Sequence, residues 1–377
     1  GNPVCLNTEA AVGFELPDVF SPYMPRLLDS GTAALAAAVT ASVRLTETDA
    51  PEVILPAYGC PDLVSAVIHA GARPVLVDLV PEHPWMDLEQ VSASINAQTV
   101  AIIAASLFGI PERLNALGEL ANRTGVVLIE DSAQAFPGLN ERDLWKGDLV
   151  VLSFGRGKPV SLLGGGAVLF RDGRFADLLP GSGPQCDSQP GETMAFRLRA
   201  VLYNLLLSPR LYWIPQGLPF MHLGETRYKT LERINPMDAA RRALLASNIQ
   251  AYQEQPLDGQ AAVARLVVNA VAAGSGIIDL PVTCGLSQSR KLLRYPLLVE
   301  RGKRDYIYRC LLNKGQGVSV MYPATLPELP GLETLLADAG EFPAARDFAS
   351  RLLTLPVYNR LQDADLTEIR DCLDTCR

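Results

Sequence analysis

The chain has 377 residues, 48% of them hydrophobic, and a formal net charge of -8. That length exceeds one ordinary core and predicts two domains, with ample apolar material to fill both. The acidic balance argues against nucleic acid as a partner, because a phosphate backbone calls for a basic surface.

In chain order, LLDSGTAALAAAVTASV (27–43) predicts a helix capped by Ser30 or Thr32 and propagated by alanines. EVILPAYG (52–59) reads as a strand, PDLVSAVIHAGA (61–72) as a helix with a glycine stop, and PVLVDL (74–79) as a strand. TVAIIAAS (99–106) is a strand, PERLNALGELANRTG (111–125) a helix between Pro and Gly, and VVLIED (126–131) a strand. DLVVLSF (148–154) and GAVLF (166–170) follow as strands. Near-continuous apolar strands separated by helices predict an α/β fold with a mainly parallel sheet covered on both faces. In such sheets the working residues sit just past the carboxyl ends of the strands.

Residues 171–195 are rich in Gly, Pro and Ser and read as loop. The stretch 196–224 is apolar, broken by Pro209, Pro215 and Pro219, and carries Arg197, Arg199 and Arg210. It reads as an inserted pair of short helices or a helix and a lid. Its aromatic and arginine content favours contact with a partner subunit over packing within the chain or peripheral membrane contact. NPMDAARRALLASNIQAYQEQ (235–255) predicts a long helix leading out of the first domain, and 291–300, 303–323 and 342–361 alternate strand and helix before a final Asp-capped helix. The expected organisation is a large domain over 1–250 and a smaller α/β domain over 251–377.

The seven cysteines are odd in number and lack metal-site spacing, so they read as free thiols in a reducing compartment. Three scattered histidines make no zinc site, and no metal is expected. The first residues have neither the basic start nor the apolar centre of a secretory signal, and no apolar run approaches the roughly 20 residues of a membrane helix. The expectation is a cytoplasmic protein. There is no G-x-S-x-G elbow, so an enzyme of this composition borrows its chemistry from a cofactor.

Three strand ends share one chemistry. Glu130 and Asp131 end an apolar strand, where a carboxylate needs a partner or serves to cap the next turn. Lys158 follows the strand 148–154 through SFGRGKPVSLLGGG and reads as a phosphate binder, a surface charge or a Schiff-base lysine. It is no phosphate loop, since Leu152 and Pro159 stand where that loop needs a glycine and a hydroxyl. Ser30, Gly31 and Thr32 open a helix and make an anion site, to which Ser153 adds a hydroxyl. A lysine, a buried Asp and a helix start with hydroxyls are together what pyridoxal 5'-phosphate requires.

With SGTAAL (30–35), EVILPAY (52–58), GARPVLVDL (71–79), IEDSAQA (129–135), DLVVLSFGRGKPVSLLGGGAVLF (148–170), PMDAA (236–240), MYP (321–323) and LLTLPVY (352–358), the sequence resembles the DegT-type aminotransferases. These are fold-type-I pyridoxal-phosphate enzymes best known for amino-sugar synthesis. The resemblance implies a three-layer αβα large domain and a smaller C-terminal one. It implies transfer of an amino group from an amino acid, glutamate first, to a keto substrate such as a nucleotide-linked keto sugar. Lys158 would bond the cofactor aldehyde and shuttle the proton, Asp131 would pair with the ring nitrogen, and Gln134 would meet the phenolic oxygen. Ser30, Gly31 and Thr32 with Ser153 would hold the phosphate. The family works as a homodimer with shared sites, and Asn235 is the candidate for a partner residue reaching the phosphate.

The departures lie on the substrate side. Gly59 and Cys60 stand where the family has Thr followed by an aromatic that covers the cofactor ring, which leaves Tyr58 beside Cys60 as the candidate cover. Ser106 replaces a His, and Gly164 an acidic residue. Two alternatives stay open. One is a lyase or decarboxylase on the same cofactor, with Arg156, Arg227 or Arg294 binding a carboxylate. The other is a non-catalytic relative kept as a binding module.

Overall fold

The computed structural model describes every residue except 1, 9–13, 15, 47, 140, 142–144, 182–189, 207–226, 360 and 375–377. The chain opens with α1 (Leu16–Phe20), β1 (Met24–Leu28) and α2 (Gly31–Thr46). Then come β2 (Glu52–Pro56), α3 (Asp62–His69), β3 (Arg73–Val77), α4 (Leu88–Ser94), β4 (Thr99–Ala105), α5 (Leu114–Thr124) and β5 (Val127–Asp131). β6 (Leu149–Ser153), β7 (Gly166–Phe170), α6 (Arg174–Leu178) and α7 (Pro190–Leu206) follow.

Seven strands form one sheet in the order β1-β7-β6-β5-β4-β2-β3. Its pairs from β3 to β6 are parallel, as expected. β7 is antiparallel to both β6 and β1. β1 is not expected from the sequence, because MPRLL is an edge strand with two exposed residues and a proline. Side chains alternate across the sheet. Val53, Leu55, Ile103 and Ile129 face the core under α2, while Ile54, Ile102 and Leu128 face the core under α4 and α5. α2 buries a row of alanines, which lets the helix lie close on the sheet.

The second half holds α8 (Ala239–Gln253), α9 (Asp258–Ala272), β8 (Ile278–Asp279), α10 (Leu280–Thr283), β9 (Tyr295–Leu298) and α11 (Arg304–Asn313). It ends with α12 (Pro343–Arg351), β10 (Leu352–Leu355) and α13 (Asp363–Asp374). A small antiparallel sheet, β10-β9-β8, lies among these helices. Its apolar residues share one core with the large sheet, running from Val39 and Ile103 through Val263 to Leu297 and Leu353. Asp78, beyond β3, joins the two halves by accepting the amides of Ala344 and Ala345 at the start of α12, at 3.0 and 2.7 Å.

Two expectations change. Cys310 and Cys372 form a disulfide between α11 and α13, so these two thiols are not free. Part of the stretch read as loop is helical, in α6 and the start of α7. α7 also shows Met194, Leu198, Val201, Leu202 and Leu205 on an exposed side. The rest of the predicted insertion, 207–224, lies outside the described residues. Among the described residues, no helix is long and apolar enough to cross a membrane.

Candidate active site

The carboxyl ends of β2, β4, β5 and β6, the turn into β7 and the start of α2 converge on a cavity of about 250 Å³. Strand alternation decides which acid of the Glu130–Asp131 pair faces it. Glu130 points away and accepts Ser132 Oγ at 2.8 Å, Lys146 N at 2.8 Å and Gly147 N at 3.1 Å. It is a turn clasp. Asp131 faces the cavity, with one oxygen accepting Ala133 N at 3.0 Å. Burial raises its pKa, and Asp62 adds to the rise, while the Ala133 amide and the Lys158 charge pull the other way. The carboxylate therefore sits where a cationic partner would stabilise it.

Lys158 hangs from a loop tied at its base. Phe154 N donates to Gly165 O at 2.8 Å, and Leu162 N and Gly164 N both donate to Phe154 O, at 2.7 and 3.2 Å. Inside that loop Gly157 takes φ +73°, a left-handed conformation that glycine adopts without steric cost. Among the described residues, no acceptor bonds Lys158 Nζ, although its charge acts on Asp131 and Cys60.

The start of α2 forms the opposite wall. Ser30 caps the helix, its Oγ accepting Ala33 N at 3.0 Å. The first amides of a helix have no helical acceptor and face anions. A Cβ on Gly31 would lie 2.5 Å from Ser153 Oγ, so only glycine lets this hydroxyl reach the helix start. Thr32 donates its hydroxyl to Asp62 Oδ2 at 2.9 Å. Ser106, 2% exposed on the cavity wall, has an Oγ with no partner among the described residues. A buried hydroxyl in that state is a site waiting for a hydrogen bond.

Gln134 is held at both ends. Its Oε1 accepts Phe108 N and its Nε2 donates to Tyr322 Oη, each at 2.9 Å. Tyr322 and Asp62 line the cavity, and neither stands among the residues expected from sequence. The signal for Tyr322 was the MYP triplet. Asp62 carried none beyond its place at a helix start. Burial, with Asp62 adding to it, pushes the Cys60 thiol up to about 12. Gly164 is covered by Arg241, whose Nε would lie 3.0 Å from a Cβ there. Arg241 is in turn held by Asp238 and by Leu162 O.

Lys158, Asp131, Gln134, Ser153, Ser30, Gly31, Thr32 and Cys60 thus meet at one cavity. Tyr58 does not. It is fully buried behind the wall, donates to Tyr322 O at 3.1 Å and packs on Phe348. It lies on the side where β2 leaves the sheet toward the second half. Asn235 donates to Asp29 at 2.9 Å, outside the cavity of its own chain. Arg294 is committed to Thr354 and to Gly317 O, and Arg156 is exposed on the lysine loop.

A family model described as the DegT/DnrJ/EryC1/StrS aminotransferase family matches residues 27–180 and 242–374. The chain belongs to this family. The unmatched span between the two segments contains α7. A dTDP-3-amino-3,4,6-trideoxy-alpha-D-glucose transaminase of Micromonospora megalomicea subsp. nigra is 27% identical over 357 residues, covering 92% of this chain and 84% of that protein. A pleiotropic regulatory protein of Geobacillus stearothermophilus is 27% identical over 316 residues, covering 83% of this chain and 74% of its own. Among solved structures, the S. venezuelae DesV complex with a ketimine intermediate aligns with TM-score 0.69 at 21% identity, covering 100% of this chain and 91% of the other. Helicobacter pylori PseC, an aminotransferase involved in the biosynthesis of pseudoaminic acid, aligns with TM-score 0.72 at 16% identity, covering 96% and 88%. These two structures share the fold.

Proposed function

We propose that this protein is a pyridoxal 5'-phosphate-dependent aminotransferase that moves an amino group from an amino acid, glutamate first, to a nucleotide-linked keto sugar. The observation that carries the reading is Lys158. Its amine has no hydrogen-bond partner among the described residues and shares a cavity with Asp131 and the start of α2. The donor set suits the cofactor, with a lysine for the aldehyde, Asp131 for the ring nitrogen, Gln134 for the phenolic oxygen, and the Gly31 and Thr32 amides with Ser153 for the phosphate. The unpartnered Ser106 hydroxyl and the glycine-only approach at Gly31 are features of a cavity shaped for a ligand.

When bound, the cofactor supplies an electron sink and carries the amino group between substrates. Lys158 would hold the cofactor at its aldehyde, and its amine, once free, would move a proton between the substrate α-carbon and the cofactor C4'. Asp131 would hold the proton on the ring nitrogen, and a cation there would give the buried carboxylate a partner.

The sugar-nucleotide acceptor is supported by relatives named as transaminases of dTDP- and UDP-linked sugars. The proposal includes two domains, over 1–250 and 251–377, and a cytoplasmic location. It also includes a homodimer in which Asn235 of one subunit approaches the phosphate of the other, and the exposed apolar row on α7 supports a subunit contact there. The name of the Geobacillus relative favours a second reading, a regulatory binding protein.

Absorbance and borohydride reduction separate these. The purified protein is expected to be yellow, reduction is expected to fix the cofactor to Lys158, and glutamate is expected to shift the spectrum to the pyridoxamine form. A colourless protein that takes up no cofactor overturns the enzyme reading. A yellow one that no amino donor shifts overturns transamination and favours the lyase or decarboxylase alternative.

A further inference from the structure

We infer that Tyr322, from the C-terminal half, supplies the aromatic wall against the cofactor ring, in the role that Cys60 is too small to fill. The inference rests on the cofactor reading above and concerns this chain's own departure at position 60.

Tyr322 lines the cavity with Cys60 and Asp131 and is 7% exposed. Its hydroxyl accepts Gln134 Nε2 at 2.9 Å, and the Cys60 thiol lies within hydrogen-bonding reach of the same oxygen. Gln134 is fixed in turn by Phe108 N. The hydroxyl therefore has a set position among cavity-lining residues. The ring is backed from behind by Tyr58, edge to face at 5.7 Å, and Tyr58 rests on Phe348 at 5.2 Å. The Tyr58 hydroxyl also holds the Tyr322 carbonyl at 3.1 Å. These three aromatics join the end of β2, the segment before Thr325 and helix α12.

The backbone on both sides is equally determined. Met321 takes φ +52°, which a side chain of its size adopts only when its surroundings impose it. Its amide is held by Ser319 Oγ at 3.0 Å. Just downstream, Leu326 N donates to Ala57 O at 2.8 Å, and Thr325 and Glu328 form a capping box. A strained residue directly before a pocket aromatic is where stored backbone strain is expected to serve a ligand.

The chemistry agrees. The face of an aromatic ring carries negative charge density and attracts a cationic ring. Burial, and then the neighbouring Cys60, Tyr58 and Asp131, push the Tyr322 hydroxyl well above its usual range, so it stays neutral. Cys60 and Tyr322 line the same cavity, the one with a small side chain and the other with a ring.

Titration with pyridoxal phosphate, followed by absorbance and by the circular dichroism of the bound cofactor, tests this in the full chain. Y322A is expected to weaken cofactor binding about tenfold and to alter the dichroism band. Y322F keeps the ring and the fold, and is expected to keep the band with a smaller loss of affinity. C60F alone weakens binding because two aromatics contend for one space. The double variant C60F/Y322A, which moves the aromatic from one side of the pair to the other, is expected to bind better than either single variant. Wild-type affinity and an unchanged band in Y322A overturn the inference, as does a double variant no better than C60F. If the wild-type protein itself takes up no cofactor, the cofactor reading fails and this inference with it. Uptake by the wild type with an unaffected Y322A defeats the inference alone.

Discussion

Lys291 donates to the carbonyls of Tyr252, Gln253 and Gln255 at 2.5, 2.9 and 2.8 Å, and its ammonium lies over the Tyr252 ring. Lys158 has no hydrogen bond at its Nζ among the described residues. The two side chains share a chemistry and differ in what surrounds them. Lys291 closes the end of α8, where the last carbonyls of a helix lack partners. Lys158 stands over a cavity, with no acceptor on its amine among the described residues. A lysine whose three donors are used is structural. One held in place with its donors free is available for reaction.

Exchanging the two roles by mutation should separate activity from stability. K158A is expected to lower transamination at least a thousandfold or so while shifting the melting temperature little, since no hydrogen bond is lost. K291M is expected to destabilise by about 1 to 3 kcal/mol, because one buried and two part-buried carbonyls lose their donor. Activity per folded molecule should survive. Thermal melts beside single-turnover assays read both, and equal effects of K158A and K291M on stability would erase the distinction.

A smaller effect sharpens the same contrast at the cavity wall. G31A places a methyl 2.5 Å from Ser153 Oγ and is expected to cost about 1 to 3 kcal/mol through overpacking. Cofactor affinity should fall with it. Loss of stability with unchanged affinity would show that this approach serves packing alone.

The smallest effect concerns a charge paired in water. The Arg301 hydrogen bond, which outweighs the opposing effect of burial and is aided by the Arg351 bond, holds the Asp347 carboxyl below its ordinary value. Such a group adds stability above the ordinary carboxylate pKa of about 4, and that stability is lost as pH falls through the lowered value. Arg301 is largely exposed, so the contribution is expected to stay under about 1 kcal/mol. Denaturation midpoints followed from neutral to acid pH should show a shallower acid loss in D347N than in the wild type.

The parallel core of the fold was readable because its strands are short, unbroken apolar runs between helices. β1 was not, since its half-exposed edge pattern mimics a loop. α4 buries only Val91 and so shows no apolar period. That Asp131 and Lys158 line one cavity was readable, because both follow closely on the carboxyl ends of neighbouring parallel strands. Tyr58 misled, because adjacency to Cys60 in sequence places it behind the wall rather than in it. Tyr322 could not be found by spacing at all. It arrives through tertiary packing from the far half of the chain, next to a left-handed Met321.

That remote origin sets an order in time. A chain is made from its N-terminus, and domains fold as units during synthesis. Gly31, Asp131, Ser153 and Lys158 all leave the ribosome long before Tyr322. A product truncated ahead of Tyr322 carries the reactive lysine without the aromatic that Gln134 positions. On the inference above, cofactor uptake needs a chain that extends at least through Tyr322 and the helix α12 that backs it.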